Sequence, residues 1–564
     1  MTRVKFVNIL IAYILIFLML ILNGSIVRTK TEAANGDQIY EAENSEFVGI
    51  VNEDDTCSNG QYISITDNNF AENTHVLFTL NIEYAGFYDI SIKSRGSQAE
   101  KKNIVEIDGN LIQKYLISKA DVFTEITFVE DYFFEAGVHT FEILPLYGWI
   151  SIDYLKLSQA KIIDYDYLFN VTQGLSNPNA SNNAKQLYAF LQSSYGKYII
   201  SGQHTEHGLN DPDFQKIKEQ TGRLPAILGL DLMHYSSIFD IYGEYGEIYL
   251  RTAIESAIEF ADVGGITTFC WHWSVPKKFL KKDENNEYVS FWKGFRTQYV
   301  DMDFASIMSD TTSEDFKLLM NDIDLVAERL KHLTELDIPI LFRPLHEASG
   351  GWFWWGSGGA QAYIKLWKEM YNRMTNYHNL NNLIWVWNGL SKEWYPGDDY
   401  VDIVGEDIYT TPKDYDEHAE QFAKTTDYSD APKITALSEN GTLFDIDEAK
   451  KTNTMWAWFL NWHGVHTIPG ADMSEEYSEL SMWQEVYNHE NVITLDELPF
   501  HSHEEADKDK VCDVCGAAIK PIDNKPNTPD KNRNIIIGVV VTLVVLSIIG
   551  VTIFVVMKRK KRKN

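Results

Sequence analysis

The segment Leu341-Phe-Arg-Pro-Leu-His-Glu347-Ala-Ser-Gly-Gly-Trp-Phe-Trp-Trp355 carries the densest chemistry in the chain. Arg343, His346 and Glu347 close a strand-like run, and a Gly-rich turn then presents Trp352, Phe353, Trp354 and Trp355. A carboxylic acid beside a hydrogen-bonding histidine and a bank of aromatics suits a sugar site. Aromatic faces stack on pyranose rings, and apolar surroundings raise a carboxyl pKa toward general-acid duty. Two other chemistries fail on spacing. His346-Glu347 opens an H-E-x-x-H zinc pattern, but position 350 is glycine. Gly356, Gly358 and Gly359 do not form the G-x-G-x-x-G of a nucleotide loop. A second carboxylate, Glu439, stands in Ile434-Thr-Ala-Leu-Ser-Glu439-Asn-Gly441. Two such glutamates across a barrel mouth could act as acid/base and nucleophile, which in retaining glycosidases lie about 5–5.5 Å apart. A single strand-end glutamate would fit a structural ion pair with Arg343 better; two beside aromatics favour catalysis.

Positioning these groups requires a scaffold, and the sequence supplies eight apolar strand candidates. They are Tyr198–Gln203, Pro225–Asp231, Ile266–Trp273, Pro339–Arg343, Leu383–Trp387, Ile403–Ile408, Ile434–Ser438 and Met455–Leu460. Amphipathic stretches such as Glu314–Leu336 and Ala360–Tyr377 lie between them. Near-continuous apolar strands alternating with helices predict a (β/α)8 barrel over residues 180–495. Polar or aromatic residues end several strands: Gln203-His204, Asp231, His272-Trp273, His346-Glu347, Glu406-Asp407 and Ser438-Glu439. Strand C-termini form the active site of such barrels.

The rest of the chain divides into four further parts. Residues 38–159 alternate in short strands broken by Gly, Asn and Asp, which predicts a β-sandwich. Residues 496–533 are polar and read as a small tail module and linker, with Cys512 and Cys515 near His501 and His503. That grouping leaves zinc, a local disulfide or free thiols open. Cys57 and Cys270 read as inert buried thiols. Residues 1–33 resemble a signal peptide cleaved near Ala33–Ala34. The uncharged stretch 535–557, followed by the basic residues 558–563, predicts a single C-terminal transmembrane helix. The expected location is the extracellular face of the cell membrane, single-pass anchored.

Lys and Arg number 49 and Asp and Glu 81, a formal net charge of −32. The terminal segments are basic, so the acidic excess belongs to the part between them. This argues against a nucleic-acid partner, which needs a basic face, and none is expected. Aromatics make up 13 %, including 15 Trp and 30 Tyr.

Taken together, the Arg-Pro-Leu-His-Glu347 segment, the Trp-Phe-Trp-Trp bank, Gly-Glu-Asp407-Ile-Tyr409, Ser-Glu439-Asn-Gly and Trp-His463-Gly resemble glycoside hydrolase family 26. The resemblance implies a retaining enzyme of a family best known for endo-β-1,4-mannanases. It implies Glu347 as acid/base and Glu439 as nucleophile. Arg343 and His346 would order the acid/base or the sugar, Tyr409 would hydrogen-bond the nucleophile, and Asp407 would orient that shell. His272 would contact sugars on the non-reducing side, and Trp352 and Trp462 would be stacking platforms. Trp354 and Trp355 are expected to pack rather than touch ligand.

Residues 38–159 are similar to a family 35 carbohydrate-binding module, through Tyr40-Glu-Ala-Glu43, Ser58-Asn-Gly-Gln-Tyr62, Ala85-Gly-Phe-Tyr88 and Gly148-Trp-Ile-Ser-Ile-Asp-Tyr154. That resemblance implies a structural calcium with Glu41, Glu43 and Asp153 as ligands, and sugar contacts at Tyr147 and Trp149. Ser151 stands where many relatives have Asn. No cofactor is expected for catalysis. The expected substrate is a β-mannan-type plant polysaccharide. Alternatives are a β-1,3-xylanase, a mixed-linkage β-glucanase, or a non-catalytic surface polysaccharide-binding protein; the presence of both glutamates weighs against the last.

Overall fold

In the strand Val76–Ile82, Val76, Phe78, Leu80 and Ile82 are buried and alternate with more exposed neighbours. That period of two forms one wall of a core closed by a second sheet. The computed structural model describes residues 37–501, apart from 67–73, 97–99, 118, 286, 289 and 468–474. Its N-terminal part is a two-sheet sandwich. One sheet has the order Ile50–Glu53, Gln61–Ile65, Ile150–Ile162, Gly86–Gly96 and Thr124–Phe134, with Gln38–Glu41 also paired to Ile150–Ile162. The other runs Glu46–Phe47, Val76–Ile82, Gly137–Pro145, Lys101–Ile107 and Asn110–Ile117. Ile63, Phe78, Ile92, Val105, Phe141 and Ile152 fill the space between them.

The larger part is a closed barrel of eight parallel strands. These are β1 (Gly202–His204), β2 (Ile227–Asp231), β3 (Ile266–Trp271), β4 (Ile340–Pro344), β5 (Leu383–Trp387), β6 (Ile403–Ile408), β7 (Ile434–Asn440) and β8 (Phe459–Asn461). Every residue of β3, β4, β5 and β7 is buried, as parallel strands covered on both faces should be. Gln203 opposite Asn461 closes the ring. Side chains start the surrounding helices: Ser181 caps Asn182–Ser194, Asp211 caps Pro212–Thr221, Ser313 caps Glu314–Glu335 and Asp445 caps Ile446–Thr452.

All eight expected strands are present, but the first three and the last are shorter. Ile199–Ile200 leaves the barrel wall and pairs with Val492–Ile493 instead. The last strand begins at Phe459 rather than Met455.

Sandwich and barrel meet along an apolar seam. Phe87 and Ile163 pack on Ala423 of the helix Ala419–Thr425, with Phe133, Tyr165 and Leu168 around them. Lys161 pairs with Asp427 across the same seam.

The expected C-terminal transmembrane helix is overturned. Among the described residues no helix is long and apolar enough to cross a membrane. The 22-residue helix Glu314–Glu335 has the length, at about 1.5 Å per residue. It is amphipathic, however: Phe316, Leu319, Ile323 and Val326 face inward while Glu314, Asp315 and Lys317 carry charge. Single-pass anchoring at the extracellular face therefore loses its support. Residues 1–33, 535–557 and the basic tail, as well as His503, Cys512 and Cys515, lie outside the described residues.

Candidate active site

Glu347 sits just beyond β4 with φ of +54°, and Leu345 two residues earlier has the same φ. Non-glycine residues rarely adopt this left-handed region, and they persist in it where the surroundings hold them. The Glu347 N–H donates to the Asn388 carbonyl at 2.7 Å and to its Oδ1 at 3.2 Å. The chain then folds back through Gly350 and Gly351. A Cβ on Gly350 would lie 2.0 Å from the Trp352 ring, and Gly351 has φ of +74°. This turn returns Trp352 over the acid, and its Nε1–H donates to Glu347 Oε2 at 2.7 Å. Trp352 is 46 % exposed, whereas Trp354 and Trp355 are fully buried. Their indole N–H groups donate to the carbonyls of Trp273 and His346.

Glu439, near the end of β7, is buried and held from two sides. Arg343 Nη2 donates to its Oε2 at 2.5 Å, and the Tyr409 hydroxyl donates to Oε1. Arg343 also reaches Asp407 Oδ2 at 2.6 Å through Nη1. Asp407 Oδ1 accepts from Asn388 Nδ2 at 2.8 Å and from Ser438 Oγ at 2.9 Å. One carboxylate oxygen from each of Glu347, Asp407 and Glu439 lies within 4.8 Å of the other two.

Three acids around one guanidinium strain each other's ionisation. Burial, then the charge of Glu439, raises the Glu347 carboxyl above its ordinary value, against the Trp352 hydrogen bond. Burial pushes Asp407 up as well, against the pull of Arg343. For Arg343 burial opposes the charge, but Asp407 and Glu439 outweigh it and hold the guanidinium protonated. Burial pushes the neighbouring Glu406 up to about 7, although Thr425 donates to its Oε2 at 2.9 Å.

A second wall comes from β1, β2, β3 and β8. His272 Nδ1 pairs with Asp231 Oδ2 at 2.7 Å, and the His272 N–H donates to Oδ1 at 3.0 Å. Burial works against a proton on His272, yet Asp231 outweighs it and raises the imidazole above its ordinary value. Burial likewise opposes the Asp231 charge, but His272 draws that carboxyl down to about 2. His346 meets His272 edge-on at 4.8 Å, and burial lowers its pKa well below the ordinary value. Trp462 stacks on His204 with ring centroids 4.1 Å apart. The residues expected in the barrel thus converge on one opening: Glu347, Glu439, Arg343, His346, His272, Trp352, Asp407, Tyr409 and Trp462.

In the sandwich, Tyr147 is 60 % exposed and Trp149 is half-buried with φ of +66°. Glu41 Oε1 accepts from Ser58 Oγ at 2.7 Å and Glu43 Oε1 from Asn59 Nδ2 at 2.9 Å. Their Oε2 atoms are buried without a hydrogen-bond partner. Asp153 differs from the other two. Lys93 Nζ lies 2.9 Å from it, and both its oxygens accept from the Ser58 N–H at 3.1 Å.

Sequence reasoning passed over Asn388, and it noted Ser438, Asp231 and His204 only as strand-end residues. Asn388 is fully buried and touches the backbone of Glu347, the carboxylate of Asp407 and the hydroxyl of Ser438.

Residues 176–497 match the family described as Glycosyl hydrolase family 26, and residues 38–160 match Carbohydrate binding module (family 35). A mannan endo-1,4-beta-mannosidase of Thermothelomyces thermophilus is 33 % identical over 468 residues, covering 83 % of this chain and 92 % of that protein. Mannan endo-1,4-beta-mannosidase B of a Piromyces species is 31 % identical over 475 residues, covering 82 % and 77 %. Among solved structures, a GH26-CBM35 beta-(1,4)-mannanase of Podospora anserina aligns with a TM-score of 0.58 at 32 % identity, over 82 % of this chain and 99 % of that one. A ruminal GH26 endo-beta-1,4-mannanase aligns with a TM-score of 0.61 at 27 % identity, with the same coverage.

Proposed function

The chain belongs to glycosyl hydrolase family 26 and carries a family 35 carbohydrate-binding module, and from that premise we propose that it cleaves β-1,4-mannans internally by retaining double displacement. It is a glycoside hydrolase, and its relatives named above are mannan endo-1,4-beta-mannosidases. One observation carries the mechanistic part. The Glu347 and Glu439 oxygens approach within 4.8 Å, near the spacing of about 5–5.5 Å in retaining enzymes and short of the roughly 6.5–9.5 Å of inverting ones.

In this reading Glu347 starts protonated, because burial and the Glu439 charge disfavour its anion. It donates that proton to the departing glycosidic oxygen as the Glu439 carboxylate attacks the anomeric carbon. The ester that forms removes the charge on Glu439. The pKa of Glu347 then falls, and it takes a proton from the water that cleaves the ester. Arg343 and Tyr409 keep the Glu439 oxygens oriented throughout. His272, Trp352 and Trp462 offer imidazole and indole surfaces for neutral sugar rings. In the sandwich, Tyr147 and Trp149 are the proposed sugar contacts.

The proposed substrates are mannan, galactomannan and glucomannan. The test incubates the protein and its Glu439→Ala variant with galactomannan, glucomannan, β-1,3-xylan and mixed-linkage glucan. Reducing sugar from the mannans alone, lost in the variant and first appearing as the β-anomer by NMR, is the expected result. Release from xylan or glucan alone would overturn the substrate, and an α-product would overturn double displacement.

The sandwich residues also suit a structural calcium in part. The orphaned buried oxygens of Glu41 and Glu43 are hard donors of the kind Ca²⁺ takes. Those two would hold the ion, while the Asp153 charge is met by Lys93.

A further inference from the structure

Three adjacent strands bring a second group of donors together beside the carboxylates. Asp231 ends β2 and faces Cys270 of β3 in register, and His272 follows just past the end of β3. One ligand atom from each of Asp231, Cys270 and His272 lies within 4.8 Å of the others. His204, at the end of β1, adds its Nε2 at 3.7 Å from Cys270 Sγ. This imidazole is buried, and its Nδ1 has no hydrogen-bond partner. A thiol, two imidazoles and a carboxylate converging from different strands form a donor set suited to a four-coordinate d¹⁰ cation. The set is not sealed: the side chains of Asp231 and His272 keep 20 % and 12 % of their surface exposed.

We propose that Asp231, Cys270, His272 and His204 bind a thiophilic divalent cation of the Zn²⁺ class, and that its binding switches off turnover. As the Zn–S bond forms, the Cys270 S–H bond breaks and its proton passes to buffer. His272 gives up to buffer the Nδ1 proton it shares with Asp231, and the freed lone pair takes the metal. No oxidation is involved. The thiolate and the Asp231 carboxylate balance the two charges of the cation. The occupied site ties down His272 directly and, through His204, the stacked Trp462. The inhibitory half rests on the sugar-binding role proposed above for those two side chains; the metal-binding half does not.

The test uses the full chain with Cys512 and Cys515 replaced by serine, so that the tail thiols contribute nothing. Titration with Cd²⁺ follows the ultraviolet thiolate-to-cadmium charge-transfer band, and Zn²⁺ is added to a galactomannan assay. The expected result is a band that saturates at one equivalent, and loss of turnover with Zn²⁺ that a chelator restores. Cys270→Ser should abolish the band and raise the half-inhibiting Zn²⁺ concentration at least about tenfold, the least that loss of even an outer-shell partner costs. Its metal-free turnover should be unchanged. Cys270→Ala repeats the measurement should the serine hydroxyl unsettle the core, with near-ultraviolet dichroism reporting the fold. No band, or a band that survives both substitutions, overturns the site. A Cys270-dependent band without inhibition overturns the switch. Absence of turnover on every polysaccharide without metal overturns the mannanase reading, and the band still decides the site.

Discussion

Trp352 donates its indole N–H to Glu347 Oε2 at 2.7 Å, so the ring proposed to carry a sugar also touches the proposed acid. That hydrogen bond favours the Glu347 anion and holds its pKa below where burial and Glu439 would otherwise set it. The general acid must be protonated, so kcat/KM falls on the alkaline side as Glu347 ionises. Trp352→Phe keeps a flat ring but removes the donor. Its alkaline limb is expected at higher pH than in the parent enzyme, as read from kcat/KM against pH on a soluble galactomannan. An unmoved or lowered limb would show that the bond does not tune Glu347.

Asn388 ties the Glu347 backbone to Asp407 and Ser438. Asn388→Ala leaves the partners of its amide unsatisfied in a buried place, at a cost of about 1–3 kcal/mol in stability. Displacement of both carboxylates should lower kcat much more than it changes KM. Chemical denaturation and steady-state kinetics together check this; a KM effect alone would place Asn388 among sugar contacts instead.

The Asp231–His272 pair has a defined pH window. Asp231 is drawn down to about 2, so its contribution is present above the unfolded value near 4 and is lost as pH falls toward 2. His272 is raised, so its contribution is complete below about 6.5 and is lost as pH rises through the folded value. The difference in Tm between the parent protein and Asp231→Asn should therefore be largest between about pH 4 and 6.5, shrinking on both sides. A difference independent of pH would sink the ion-pair account.

Calcium should stabilise the sandwich through Glu41 and Glu43. Adding Ca²⁺ at a hundred times its Kd to chelator-treated protein should contribute about 2.7 kcal/mol, seen as a rise in Tm. Glu41→Gln with Glu43→Gln should remove that response. If the double variant responds like the parent, the ion binds elsewhere.

The barrel was readable because its strands are apolar on both faces, and Glu347 and Glu439 because each follows such a run beside aromatics or glycine. Asn388 was not readable. It stands between Trp387 and Gly389, an ordinary strand end, and its partners Glu347, Asp407 and Ser438 are 41, 19 and 50 positions away. Closure of the barrel alone brings them together. The start of β1 was misjudged for a related reason: Ile199 and Ile200 look like barrel wall but pair with Val492 and Ile493, nearly three hundred positions on. Apolarity shows that a strand is buried without showing which strand covers it.

The seam at Ala423 bears on how such an enzyme is inherited. The helix Ala419–Thr425 meets the sandwich through Ala423, and through Thr425 it holds Glu406, the neighbour of Asp407. The sandwich is therefore no detachable bead. A barrel cut free of it would bare Ala423 and would release Asp427 from Lys161. A lineage that exchanged its binding module would have to rewrite this helix at the same time, so the two domains are expected to travel through evolution as a matched pair.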